Sequence, residues 1–121
     1  MAGLPWVRLD ASFPTNPKVL QLLEMREGHR AGFVYLCALA YCGAHGTDGV
    51  VSAGALPFIH GRRADVQKLV EVGLWHDYPD GGWIINGWDE KQVTNEAARL
   101  RSAMAKRAAA ARWRPGKEDT A

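Results

Sequence analysis

The sequence predicts a mainly α fold with a small β-hairpin wing, namely a winged helix-turn-helix followed by a long C-terminal helix. Three observations carry that expectation. Between Ser52 and Gly73 two short helical patterns meet at a His60-Gly61 break, which is the layout of helix, turn, helix. Two short strand segments, 74–77 and 83–85, then flank a loop with Asp80-Gly81-Gly82, residues that tolerate the positive φ angles a hairpin demands. Beyond residue 90 the chain turns rich in alanine, the strongest helix former.

Taken in order, Trp6, Val7 and Leu9 read as a short extended piece. Thr15 or Asn16 then caps a helix with Pro17 in its first turn, where a missing N–H costs nothing. Val19, Leu20, Leu22 and Leu23 supply its buried face, and it is expected to end near Gly28. The stretch from His29 to Gly46 carries hardly a charge after Arg30, and such all-round apolarity predicts a central, buried helix. Asp48-Gly49 marks a turn, Val50-Val51 a two-residue strand, and Ser52 a cap for a short helix limited by Pro57. From Arg63 to Val72 the residues Val66, Leu69 and Val70 share a face, with Arg63, Gln67, Lys68 and Glu71 elsewhere. The strands follow, and residues 90–113 are expected as one last helix about 30 Å long. The division predicted is a winged-helix domain over 1–89, a basic helix over 90–114 and a disordered tail over 115–121.

The 121 residues, 47% of them hydrophobic, suffice for one compact core but not for a two-domain enzyme. No stretch approaches the roughly 18 apolar residues of a membrane span, and no leader-like segment opens the chain. A cytoplasmic protein without a membrane partner is expected. Cys37 and Cys42 lie five apart on a helical pattern, about 140° apart around the axis, so they read as two small buried thiols rather than a disulfide. His29, His45, His60 and His76 lack metal-ligand spacing, so no metal is expected.

Catalysis needs a nucleophile held against a base, yet no nucleophile elbow and no glycine-rich phosphate loop occurs, the glycines falling at turns instead. No enzyme activity and no cofactor are therefore expected. Charge is more informative. Residues 1–98 hold eight Lys and Arg against eleven Asp and Glu, a net of −3, while 99–117 hold seven Lys and Arg and no acid. Only the C-terminal segment is a basic arm.

The candidate DNA-binding residues follow from that pattern. Arg62, Arg63, Gln67 and Lys68 place basic and amide groups on the second helix of the pair, suited to phosphates and base edges in the major groove. Asp65 and Glu71 share that helix and would repel phosphate if they faced it. In the arm, Arg99, Arg101, Lys106, Arg107, Arg112 and Arg114 border a narrow stripe of Val93, Ala97, Leu100, Met104 and Ala111. Such a helix fits either phosphate tracking or docking of a partner helix, including a second copy. Trp75, Trp83 and Trp88, three of the five tryptophans, read as scaffolding, with Trp75 and Trp83 paired across strands. The other reading for them is base stacking or partner binding.

The segments WVRLDASFPTNPKVLQL, TDGVV, LVEVGLWHD and GGWIINGWDEKQ, with the trailing Arg/Ala helix, together resemble the winged-helix domain of actinobacterial and actinophage proteins. That domain is similar to the N-terminal domains of phage replisome organisers and DnaD-type replication initiators. The resemblance spans about residues 5–113 and is most specific at Gly73 to Trp75 and at Trp88-Asp89. It implies a winged helix that binds DNA or self-associates, usually beside a further domain that handles the replicative helicase. The expectation is thus a protein binding double-stranded DNA, acting in replication initiation or transcriptional control, with a replication protein as a further partner. An adaptor module that uses the winged helix and last helix for oligomerisation or docking is the alternative.

Overall fold

The computed structural model describes residues 3–92 together with Leu100, Ala103, Met104, Arg107 and Ala108. Its described elements are a 3-10 turn Phe13–Thr15, helix α1 Pro17–Leu23, helix α2 Gly28–His45, strand β1 Val50–Val51, a 3-10 segment Ala53–Ile59, helix α3 Arg63–Glu71, strands β2 Trp75–Asp77 and β3 Trp83–Ile85, and helix α4 Trp88–Lys91. The fold is mainly helical with one small antiparallel sheet, ordered β1-β3-β2. None of the described helices is long and apolar enough to cross a membrane.

Local chemistry accounts for most boundaries. Asn16 caps α1, its side chain accepting the Lys18 N–H at 2.8 Å, with Pro17 at the first position. The helix stops at Leu23 rather than near Gly28, because Glu27 turns left-handed at φ 56° and starts α2 in a new direction. Ser52 stands at the expected cap position but makes no side-chain capping bond, and the segment after it winds as a 3-10 helix with Pro57 inside. His60, left-handed at φ 62°, ends that segment.

Turn chemistry sets the sheet. Asp48 and Gly49 both have positive φ, 52° and 92°, and Val50 N–H closes the turn on Thr47 O at 3.2 Å. At Gly49 a Cβ would also lie 2.8 Å from the Trp88 side chain, so both the φ and the packing call for glycine. In the hairpin loop Gly81 takes φ 87°, while Gly82 is needed because its backbone passes against Val51 O, leaving no room for a side chain. Trp75 pairs with Ile85 and Asp77 with Trp83. The two tryptophans are therefore diagonal neighbours rather than directly opposed, their rings 6.0 Å apart and tilted by 31°.

One core unites these parts. Leu22 from α1, Val34 and Cys42 from α2, Ile59, Leu69 from α3, and Trp75 and Val51 from the sheet are fully enclosed. Trp83 and Trp88 are 9% and 3% exposed and join them. The three tryptophans of this stretch are thus part of the core.

Three expectations are corrected. Helix α2 is not buried all round: Ala31, Val34, Ala38 and Cys42 face inward, while Phe33 and Leu36 stay 54% and 38% exposed. Only Cys42 is a buried thiol, Cys37 being half-buried, and both are free. The last helix is not continuous from residue 90, since α4 ends at Gln92, whose backbone is extended at φ −111° and ψ 160°. Leu100, Ala103, Met104, Arg107 and Ala108 are again helical. The remainder of the expected helix and the tail over 115–121 lie outside the described residues.

The break at Gln92 has a physical reason. Its side-chain amide pairs with the peptide of Arg8, accepting the N–H at 2.8 Å and donating to the carbonyl at 2.6 Å. That amide, 8% exposed, ties the N-terminal segment to the end of the sheet. Gln92→Ala is expected to cost about 1 to 3 kcal/mol, the penalty of stranding partly buried peptide groups. Faster amide exchange at Arg8, with unchanged exchange in α2, is the signature to measure.

Candidate nucleic-acid interface

The sequence-predicted residues sit around α3 and the turn before it. Leu69 and Val66 anchor the helix in the core, and Arg63 and Gln67 point outward and are exposed. Lys68 is half-buried, and its ammonium reaches the Ala64 carbonyl at 3.4 Å. Arg63, Gln67 and Glu71 line one side of a groove whose other side is Asp77 and Trp83 of the hairpin. The outward surface of α3 thus combines a cation and an amide with one acid, and a second acid faces it across the groove.

Of the two acids expected to conflict with phosphate on this helix, Asp65 is withdrawn and Glu71 stays on the groove. The Asp65 side chain is fully buried, turned under the helix start instead of toward solvent. One oxygen accepts the Arg62 N–H at 2.9 Å, half of a capping box whose other half Arg62, having no acceptor, cannot supply. The Arg62 guanidinium reaches Asp65 at 3.2 Å and Glu27 at 3.0 Å, and Arg30 reaches Asp65 at 3.4 Å. Burial by itself would raise the Asp65 pKa. The hydrogen bonds from the Arg62 side chain and backbone, with the charges of Arg62 and Arg30, outweigh it and hold this carboxyl below the ordinary range. Glu27 is likewise lowered, first by its hydrogen bond from Arg62.

This network separates the four candidates on α3. Arg62 pairs with two carboxylates at the helix start, with 44% of its side chain still exposed. Arg63, Gln67 and Lys68 remain directed away from the core. Arg30, absent from the sequence-predicted set, joins the same corner and donates to the His60 carbonyl at 3.0 Å. Only tertiary packing brings it there, thirty residues away in the chain. In the arm, Arg107 is helical and exposed; Arg99, Arg101, Lys106, Arg112 and Arg114 lie outside the described residues. Leu100 and Met104 of the apolar stripe are 61% and 65% exposed.

Among the described residues no group of three or more His, Cys, Asp or Glu could hold a metal ion. The chain matches no protein-family model, no curated protein and no solved structure.

Proposed function

We propose that the chain is a winged-helix protein that binds double-stranded DNA without catalysis, in replication initiation or transcriptional control of a phage or prophage type. The observation that carries this is α3: Asp65 alone is turned under the helix start, leaving Arg63 and Gln67 exposed beside the hairpin. Arg63 suits a phosphate or a guanine edge, and Gln67 an adenine edge. The order α2, β1, 3-10 segment, α3, β2, β3 with β1 pairing β3 supports a winged helix whose loop 78–82 is the wing. The seven basic residues of 99–117 supply the sequence-independent attraction that a domain of net −3 lacks.

The test is a salt titration of binding to duplex DNA by fluorescence anisotropy. The double variant Arg63→Ala, Lys68→Ala is expected to weaken binding and to reduce the slope of log K against log salt by about 0.9 for each phosphate that is no longer neutralised. An unchanged slope rules out α3 as the DNA-facing element. The exposed Leu100 and Met104 favour the second reading, an adaptor whose last helix docks a partner. Absence of DNA binding at low salt would select it.

A further inference from the structure

Helix α2 carries apolar side chains that its packing leaves outside the core, Phe33 and Leu36 among them. In its 18 residues Arg30 is the sole Lys, Arg, Asp or Glu, and Arg30 is drawn aside to Asp65 and the His60 carbonyl. The face opposite the core therefore carries one charged side chain, Arg30, 41% exposed and paired with Asp65. At 100° per residue, Phe33, Ala40 and Ala44 fall on the centre line of that face, with Leu36 on one flank and Cys37 on the other. All but Cys37 are exposed. Phe58 of the 3-10 segment, 71% exposed, extends the patch by stacking at 6.2 Å on Tyr41. Exposed apolar patches of this kind mark interaction sites.

We propose that this face is a homodimer interface in which α2 packs antiparallel against α2 of a second copy, with the two-fold axis near Cys37. The order of side chains supports a second copy as occupant. The large Phe33 precedes the axis and the small Ala40 and Ala44 follow it, so antiparallel packing sets each phenylalanine over the alanines of the other copy. Such self-complementarity is what a two-fold interface requires. Size agrees. At about 200 Å² for a fully exposed aromatic side chain, Phe33 and Phe58 with 54% and 71% exposure leave about 250 Å² open. Leu36, the two alanines and the neighbouring His29, His45 and His60 bring this to on the order of 600 Å² per copy, about 1,200 Å² in the pair, the lower bound of a specific interface. A nucleic acid or an acidic partner finds on this helix only Arg30, which is already paired with Asp65.

The experiment uses the full chain. Sedimentation equilibrium over a concentration series is expected to show reversible dimerisation, and Ala40→Glu to give a monomer at every concentration. Ala40 is exposed and glutamate is a good helix former, so the melting temperature of the isolated subunit stays intact; Phe33→Lys serves as the second variant if Ala40→Glu does not fold. Near the axis, Cys37 is expected to be joined to its counterpart by a short bis-maleimide, a product abolished in Cys37→Ser and kept in Cys42→Ser. A wild-type chain that stays monomeric, or a dimer that survives Ala40→Glu and dissociates only when residues 99–121 are removed, overturns the proposal, the latter assigning dimerisation to the arm.

Discussion

Trp75→Ala is expected to cost about 3 to 5 kcal/mol of folding stability, a large part of the roughly 5 to 15 kcal/mol that holds a domain together. The indole is fully enclosed within the core and packs diagonally against Trp83, the rings tilted by 31°. Its ring nitrogen is buried without a hydrogen-bond partner, so the side chain contributes through packing and not through its N–H. Trp75→Phe, which keeps an aromatic ring and removes that stranded donor, is therefore expected to lose less than half as much. Urea unfolding of the two variants measures both. Should Trp75→Ala melt like the wild type while losing DNA binding, the tryptophan would be a DNA-binding residue and not scaffold.

Asp65→Ala is expected to be the most costly change at a charged position, about 2 to 3 kcal/mol. The charge-assisted bond to the Arg62 N–H accounts for most of that. The ion pairs add little, because Arg62 and Arg30 keep 44% and 41% of their side chains in water. Since the folded-state pKa of Asp65 lies below its ordinary value, its carboxylate stabilises the fold fully above the unfolded pKa near 4, and that stabilisation is lost as pH falls through the folded value. Asp65→Asn has no such titration. The stability gap between wild type and Asp65→Asn is thus expected to be constant from pH 7 to about 5 and to narrow below pH 4. A gap independent of pH down to 2 would show that the charge of Asp65 does not matter.

For the DNA binding proposed above, the consequence is indirect. Asp65 fixes the first turn of α3, and with it the direction of Arg63. Loss of DNA affinity in Asp65→Ala should accordingly track loss of helix, whereas Arg63→Ala should lose affinity with its fold intact. Circular dichroism beside the binding titration separates the two.

Much of the fold is legible in the chain itself because it rests on short-range chemistry. The Asn16-Pro17 start, the Asp48-Gly49 turn, the two-residue strand and the glycine loop of the hairpin each need only their own neighbours, through a cap, a positive φ or an alternation of apolar side chains. The enclosure of Trp75 and Trp83 follows from the same alternation. Only the tertiary structure decides the rest. In the sequence Asp65 and Arg62 are opposing charges on one exposed helix, yet Asp65 is buried under the helix start, where Arg62 and, arriving from α2, Arg30 pair with it from the surface. Gln92 carries no signal as a helix breaker, because its partner is the peptide of Arg8, eighty-four residues earlier. The apolar run of α2 suggests burial, but composition cannot say how many sides of a helix its neighbours cover. The described chain supplies α1, α3 and the sheet to one side and leaves Phe33, Leu36 and Ala40 outside. Periodicity records which residues can be buried; the number and placement of packing partners, which long-range contacts set, determine which ones are.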